Sequence, residues 1–125
     1  MTIAAAYGYA ILCLAVSVFQ ICLIAGAPWG RITQGGTHSG VLPPFNRLLA
    51  AFSIILLIGM AGSILSVTED WLNWPAWMSW TALAIQAVST LLNWVTPSRP
   101  ERILWGPITT TMLILASVVV VTGLS

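Results

Sequence analysis

The chain has 125 residues, of which 58% are hydrophobic and 6% are charged, and its formal net charge is +1. Soluble domains usually carry about 25% charged residues, so this composition excludes a soluble globular protein and indicates an integral membrane protein. The small net charge gives no indication of nucleic-acid binding, which depends on a basic face.

Four long apolar segments follow one another along the chain. They predict helices at approximately residues 3–27, 45–67, 77–95 and 104–124. Each has at least about 19 residues, close to the roughly 20 that a helix needs to cross about 30 Å of hydrocarbon, and none alternates as β-barrel strands do. The predicted fold class is an all-α membrane protein, a single domain over residues 1–125. Its four transmembrane helices form two hairpins with both termini on the same, outer side.

The orientation follows from the arginines, because basic loops are retained in the cytoplasm. The chain has four arginines and no lysine, and all four lie in or beside the loops at 28–44 and 96–103. The only charged residues in the loop between these two are acidic, and they are Glu69 and Asp70. We therefore expect loops 28–44 and 96–103 to be cytoplasmic, where their arginines also attract anionic lipid headgroups.

Two polar triplets interrupt the apolar helices at the spacing i, i+4 and i+7, which places each triplet on one helical face. They are Cys13, Ser17 and Gln20 in the first predicted helix, and Gln86, Thr90 and Asn93 in the third. An unpaired amide against lipid costs several kcal/mol, so both faces are expected to point into the bundle. Two interpretations stay open: interhelical hydrogen bonds that hold the helices in register, or the lining of a polar pocket on the arginine side.

The first loop, residues 28–44, has the composition of a folded loop rather than of a spacer. It contains four glycines together with Trp29, Arg31 and His38. Glycine permits positive φ and close backbone approach, and long loops are usually functional or disordered. The apolar ends and the tryptophan argue against disorder, so we expect the loop to fold back onto the bundle.

Seven tryptophans mark the two ends of the predicted helices. Four of them, between residues 71 and 80, belong to the outer end, and Trp29, Trp94 and Trp105 belong to the inner end. Tryptophan concentrates at membrane interfaces because its ring is apolar and its N–H needs a partner. An aromatic belt accounts for all seven, and stacking on a ligand is the alternative for the inner three.

Ligand chemistry is expected on the arginine side of the bundle. Arg47 lies in the first turn of the second predicted helix, where the helix dipole disfavours a cation, so a carboxylate or an anionic ligand would offset its charge. Glu101 is the only acid on this side, and Arg102 competes for it. Three interpretations stay open: orientation plus attraction to anionic lipids, an anionic or phosphate-bearing ligand held by forked arginine contacts, and catalysis by His38 with Glu101.

No motif in the sequence assigns a reaction or a cofactor. A nucleophile elbow, a phosphate-binding P-loop, a zinc-protease helix and a Cys-x-x-Cys pair are all missing, and one histidine with one nearby acid does not make a metal site. We therefore predict no catalytic residue, no metal and no cofactor. The candidate ligand-binding residues are Gln20, Trp29, Arg47, Gln86, Thr90, Asn93, Arg99, Glu101, Arg102 and Trp105.

Three groups of residues carry a resemblance to other proteins. They are Gly26-Ala-Pro-Trp-Gly30; Gly35-Gly36 with Leu42-Pro43 and Arg47; and Asn93 with Thr96-Pro-Ser98, Glu101-Arg102 and Trp105-Gly-Pro107. In this combination the chain resembles a group of small, uncharacterised bacterial four-helix membrane proteins over most of its length. The resemblance implies a bacterial inner membrane and the four-helix topology, and it implies no activity.

Three functions fit these features. The first expectation is a non-enzymatic accessory or assembly subunit that packs against a partner membrane protein or a copy of itself, because Gly59 and Ser63 form a small-xxx-small packing step. The alternative is binding or passive transport of an anionic or amphipathic small molecule or lipid, and the second alternative is a lipid-modifying enzyme. An active transporter is disfavoured because no charged residue lies deep in any predicted helix.

Overall fold

The computed structural model describes residues 2–124, and within that range all regular secondary structure is helical. Its four α-helices are α1 (Thr2–Ile24), α2 (Pro44–Thr68), α3 (Ala76–Val95) and α4 (Arg99–Gly123). Three short 3₁₀ turns lie in the loops, at Gly30–Ile32, Gln34–Gly36 and Asp70–Leu72. The prediction of an all-helical chain with four helices is confirmed for the described residues. Three of these helices, α1, α2 and α4, are long and apolar enough to cross a membrane.

The helices form two hairpins that pack side by side. The most extensive contacts join α1 with α2 and α3 with α4, and further contacts join α1 with α4 and α2 with α3. The hydroxyl groups of Thr2 and Thr122 are 2.9 Å apart, so both ends of the described chain lie at one end of the bundle. The other end carries the two arginine-bearing connections, where the Ser98 hydroxyl donates to the carbonyl oxygen of Arg31 at 2.6 Å.

The apolar core occupies the half of the bundle near the chain ends. Its largest fully buried side chains come from the first half of α1 and the second halves of α2 and α4: Tyr9, Ile64, Met112, Val119 and Val120. The half near the arginines has a much smaller buried cluster, formed by Leu23, Leu42 and Ala50. The interior of this second half is therefore incompletely filled by apolar side chains.

Helix α1 ends at Ile24, three residues before the predicted end, because Gly26 terminates it. Gly26 has φ +106°, a conformation that glycine adopts without steric cost. The amide of Ala27 donates to the Cys22 carbonyl at 2.9 Å, and the amide of Gly26 donates to the Leu23 carbonyl at 3.1 Å. These two bonds form a Schellman motif, which satisfies the last carbonyl groups of the helix.

Helix α4 begins at Arg99, five residues before the predicted start, so the connection from α3 is much shorter than the predicted loop 96–103. The Ser98 hydroxyl accepts a hydrogen bond from the Glu101 amide at 3.3 Å and caps the helix. Serine followed by an acid three residues later is a known helix-start pattern, and proline is tolerated in the first turn. Glu101 and Arg102 therefore lie on the first turn of a helix.

Candidate functional site

A cleft of about 870 Å³ occupies the half of the bundle near the arginines. Its two sides are α2 and α3, α1 and α4 contribute its floor, and residues 33–35 of the first loop close one end. We refer to this space as the cleft. The cleft lies in the half of the bundle that has the smaller buried apolar cluster. It occupies space there that apolar side chains do not fill.

Helices α2 and α3 are joined by a side-chain hydrogen bond near the end of the bundle that is remote from the arginines. There the Ser79 hydroxyl donates to the Ser63 carbonyl at 2.8 Å. The ring of Trp74 lies on Gly62, where a Cβ atom would overlap it. Gly62, next to Ser63 of the small-residue step, is therefore packed against this ring, and residues of both helices line the cleft nearer the arginines.

The lining of the cleft is amphipathic. Its walls are aliphatic along α2 and α3, from Leu56, Leu57, Met60, Ile85, Val88 and Leu92. Its end near the arginines carries the polar side chains of Gln20, Gln34, Asn93 and Glu101. The cleft thus offers hydrogen-bonding groups at one end and an apolar surface along the rest of its length.

Gln86 forms a buried hydrogen-bonded link across the floor of the cleft. Its side-chain oxygen accepts a bond from the Tyr9 hydroxyl at 2.9 Å, and its side-chain nitrogen donates to the Thr109 carbonyl at 3.2 Å. The Thr90 hydroxyl donates to the same carbonyl at 3.1 Å. Gln86 and Thr90 are both buried, so these two members of the α3 triplet join α1, α3 and α4.

Gln20 and Asn93 are half-buried and line the cleft. The Asn93 side-chain nitrogen donates to the Ser89 carbonyl at 2.7 Å, and its side-chain oxygen accepts no hydrogen bond from residues 2–124. Within residues 2–124, no hydrogen bond engages the Gln20 amide. The two interpretations of the polar triplets therefore apply to different residues: Gln86 and Thr90 link helices, whereas Gln20 and Asn93 present polar atoms to the cleft.

The first loop is folded against the start of α4, as its composition predicted. The indole nitrogen of Trp105 donates to the Ile32 carbonyl at 2.7 Å, and the amide of Gly35 donates to the Glu101 carboxylate at 3.1 Å. Gly36 has φ +68°, and a Cβ there would lie 2.7 Å from that of Ser98. Glycine is required at this position for both its backbone conformation and its close approach.

A reciprocal amide pair fixes the loop to the start of α2. The Gln34 side-chain nitrogen donates to the Asn46 carbonyl at 2.8 Å, and the Asn46 side-chain nitrogen donates to the Gln34 side-chain oxygen at 2.7 Å. The sequence analysis did not identify either residue, because an amide in a loop and an amide at the start of a helix show no common periodicity. It also missed Tyr9, although Tyr9 precedes Cys13 by four residues and extends the polar face of α1.

Glu101 is the only ionisable residue among those that line the cleft within residues 2–124. Its side chain is buried, with 5% of its surface exposed. One carboxylate oxygen, Oε2, accepts the Gly35 amide, and Oε1 has no hydrogen-bond partner in the described chain. No fully enclosed side-chain oxygen there is unpaired, so Oε1 keeps some accessible surface on a residue that lines the cleft.

The arginines do not line the cleft. Arg47 donates through Nε to the Leu42 carbonyl at 2.9 Å, and Arg102 donates through Nη1 to the Thr96 carbonyl at 2.9 Å. Arg31 and Arg99 are exposed to solvent. The expected pairing of Arg47 or Arg102 with Glu101 is not formed, because both guanidinium groups satisfy carbonyl groups at the ends of nearby loops instead.

The inner tryptophans have separate positions. Trp105 lines the cleft and meets Phe19 edge to face, with ring centroids 4.7 Å apart. Trp29 stacks on Phe19 with centroids 5.6 Å apart and is not part of the lining. Trp94 donates to the Thr110 hydroxyl at 2.8 Å on the outside of α4. Of the three, Trp105 is the one placed to contact a ligand in the cleft.

The structure does not bring His38 to the cleft. His38 is exposed in the first loop, and its Nδ1 is 3.2 Å from the Thr37 hydroxyl. Within residues 2–124 no three His, Cys, Asp or Glu side chains are grouped as metal ligands. Two hydroxyl groups at the cleft donate to backbone carbonyl groups: that of Ser53 to Leu49 at 3.0 Å and that of Thr109 to Trp105 at 2.6 Å.

Comparisons of the chain with protein-family models, with curated proteins and with solved structures find no match. The candidate site is defined by the structure alone and consists of the cleft and the residues that surround it. Five of the predicted site residues line it, and these are Gln20, Gln86, Asn93, Glu101 and Trp105. The other five, Trp29, Arg47, Thr90, Arg99 and Arg102, do not.

Proposed function

We propose that the chain is an integral membrane protein that binds one amphipathic molecule, a lipid or a lipid-like small molecule, in the cleft. One observation carries the proposal: a cleft of about 870 Å³ has polar side chains at one end and aliphatic walls along the rest. Sites for single small ligands typically have volumes of about 300–1,000 Å³ and a mainly apolar lining with a few placed polar groups.

The ligand would enter from the bilayer rather than from water. Val88 and Leu92 line the cleft and are also 57% and 59% exposed, so they form its rim on the outer surface of the bundle. In a membrane this surface faces the acyl chains, and an apolar chain could pass the rim without meeting water. Binding or passive transfer of this kind needs no charged residue deep in a helix.

We further propose that all four helices cross a bacterial inner membrane with both termini outside. Helix α3 is not among the helices that are apolar enough by composition to cross a membrane, but three of its polar residues, Ser79, Gln86 and Thr90, are buried. Its lipid-facing side carries Leu91 and Val95, which are more than 60% exposed. A length of 20 residues corresponds to about 30 Å of helix, which matches the hydrocarbon thickness. The arginine distribution supports the cytoplasmic placement of the first and third connections.

An accessory or assembly role is the second candidate, and one observation favours it. A Cβ at Gly59 would have no heavy atom within 4 Å, and a groove of about 160 Å³ runs beside this residue between α2 and α3. Small residues at an open surface allow a second helix to approach closely. A copy of the same chain or a partner membrane protein could occupy this groove.

Native mass spectrometry on protein released gently from its own membrane tests binding in the cleft. Two indole groups one turn apart on the rim, Val88→Trp with Leu92→Trp, should obstruct the entrance. The matched control is Ala87→Trp with Leu91→Trp, which places the same two indole groups at exposed positions of α3 outside the cleft. We expect wild type and control to retain one molecule of uniform mass, and the rim variant to lose it.

Other outcomes of this experiment separate the candidate functions. A stoichiometric second protein, or a second copy of this chain, that persists in both double variants would favour the accessory role. If the same small molecule is retained equally by the rim variant and by the control, the cleft is not its binding site. A wild-type protein that carries nothing under any gentle extraction condition would also contradict the proposal.

A further inference from the structure

We infer that the ligand of the cleft has a cationic, ammonium-type head that sits on the carboxylate of Glu101. This inference rests on the proposed function, because it assumes that the cleft binds an amphipathic molecule. It reverses the charge that the four arginines suggest in the sequence. Three features of the cleft support it: the charge of its lining, the exposed oxygen of Glu101, and the aromatic rings beside that residue.

The charge of the lining is negative, although this end of the protein is rich in arginine. Among residues 2–124, Glu101 is the only ionisable side chain that lines the cleft. Arg47 and Arg102 are directed at the carbonyl groups of Leu42 and Thr96. An anionic head entering the cleft would therefore meet a carboxylate without a guanidinium partner, and like charges at close range repel strongly away from bulk water.

Glu101 is a buried carboxylate that has no cationic partner within residues 2–124. A buried carboxylate is costly unless it is paired and hydrogen-bonded, and the Gly35 amide engages only Oε2. The second oxygen, Oε1, accepts no hydrogen bond within the described residues and is not fully enclosed, and Glu101 is a residue of the cleft lining. A cationic head beside Oε1 would be attracted to the carboxylate by its charge, and a head that carries N–H groups would add a charge-assisted hydrogen bond, roughly twice as strong as a neutral one.

Aromatic and acceptor groups complete the surroundings of that position. Trp105 is four residues after Glu101 on α4, so the two side chains share one helical face, and both line the cleft with Phe19. Aromatic faces attract ammonium groups, and quaternary ammonium ligands are commonly held in this way. The free side-chain oxygen of Asn93 adds a further acceptor. From this end the aliphatic walls of α2 and α3 continue along the path of an alkyl tail.

Two probes with the same chain length and opposite charge test the inference: decyltrimethylammonium and decanoate. Their affinities are measured by calorimetry for purified wild-type protein and for Glu101→Gln, in micelles of one neutral detergent. The matched control is Glu69→Gln, which removes an acid at the opposite end of the bundle. Glutamine at position 101 keeps an oxygen for the Gly35 amide and leaves the Ser98 cap in place.

We expect wild type and Glu69→Gln to bind the cation at least about tenfold more tightly than the anion. Glu101→Gln should lower the affinity for the cation by about tenfold and remove the preference. The inference is overturned if wild type binds both probes equally, or if the preference survives in Glu101→Gln.

The rim variant with Val88→Trp and Leu92→Trp separates this failure from failure of the proposed function. If both probes bind wild type more tightly than the rim variant but without a preference for the cation, the cleft binds amphiphiles and only the charge inference is lost. If neither probe binds wild type more tightly than the rim variant, binding in the cleft itself is contradicted.

An ammonium head could come from a membrane lipid or from a free amphipathic amine. Wild type in nanodiscs of phosphatidylglycerol is compared with wild type in nanodiscs that also contain phosphatidylethanolamine. Weaker binding of the cationic probe in the second lipid mixture supports the cationic site and assigns it to the lipid headgroup. Unchanged tight binding in both mixtures supports the same site and assigns it to a free amine.

Discussion

Replacing Gln86 with leucine should lower the free energy of unfolding by about 1–3 kcal/mol, and adding Tyr9→Phe to it should recover most of the loss. Leucine has a similar size but leaves the Tyr9 hydroxyl, which is fully buried, without its acceptor. The Thr109 carbonyl keeps its bond from Thr90, so it is not orphaned. Removing both partners of a buried hydrogen bond is close to neutral when the shapes are preserved.

The measurement is a double-mutant cycle on the unfolding of purified protein in a mild detergent, with Gln20→Leu as the control. Gln20 is also a glutamine on the inner face of a helix, but its amide has no hydrogen bond within residues 2–124, so its replacement should change stability little. Equal effects of Gln86→Leu and Gln20→Leu, or strictly additive effects of Gln86→Leu and Tyr9→Phe, would show that the buried link does not stabilise the bundle.

Replacing Gly30 with alanine should detach the first loop from the bundle and speed tryptic cleavage after Arg31 by at least about tenfold. A Cβ at residue 30 would overlap the His38 carbonyl oxygen and would lie 2.8 Å from the Gly40 carbonyl oxygen. These are backbone atoms, so the loop itself must move. Arg31 is the informative site because its carbonyl accepts the Ser98 hydroxyl only while the loop is docked.

Gly40→Ala is the control for this change within the same loop. Gly40 has φ +84°, but a Cβ there would have no heavy atom within 4 Å. The substitution carries only the backbone cost of a left-handed residue, about 1–2 kcal/mol, so its effect on cleavage after Arg31 should be the smaller one. If trypsin cleaves after Arg31 as slowly in Gly30→Ala as in wild type, the close backbone approach at Gly30 does not hold the loop against the bundle.

The same cleavage reports the orientation of the protein in sealed vesicles. If the first loop is cytoplasmic, trypsin added outside should cut the Gly30→Ala variant in inside-out vesicles and should not cut it in right-side-out vesicles. The opposite pattern would contradict the orientation that we infer from the arginines. Cleavage from both sides would show that the protein inserts in two orientations.

The helices of this fold are predictable from the sequence because long apolar segments have few alternatives. The predicted bounds of α2 and α3 differ from the observed bounds by one residue at most. The start of α4 differs from the predicted start by five residues because its first turn is polar and does not belong to the apolar segment. Ser98 and Glu101 form a cap there that makes Pro100 a first-turn residue.

The candidate site was only partly predictable. The spacing of the polar triplets placed Gln20, Gln86 and Asn93 on inward faces. Spacing alone does not show which side-chain amide forms a hydrogen bond with another helix and which one lines a cleft. Two of the arginines donate to loop carbonyl groups that accept no other hydrogen bond within residues 2–124. The positions of these carbonyl groups are known only once the loops are folded. The change from an anionic to a cationic ligand that we infer arises here, because Arg47 donates to the Leu42 carbonyl and not to Glu101.

The most direct test of the cleft as a binding site is to map the position of a photoreactive amphiphile. A probe with an alkyl diazirine chain and a trimethylammonium head is irradiated with wild-type protein in nanodiscs, and the labelled residues are identified by mass spectrometry. We predict labels concentrated on residues 53–60 of α2 and 84–92 of α3, with loss of these labels when Val88 and Leu92 are both tryptophan. Labels spread evenly over lipid-facing positions such as Ile11 and Leu14 of α1, unchanged in that variant, would contradict a ligand site between α2 and α3.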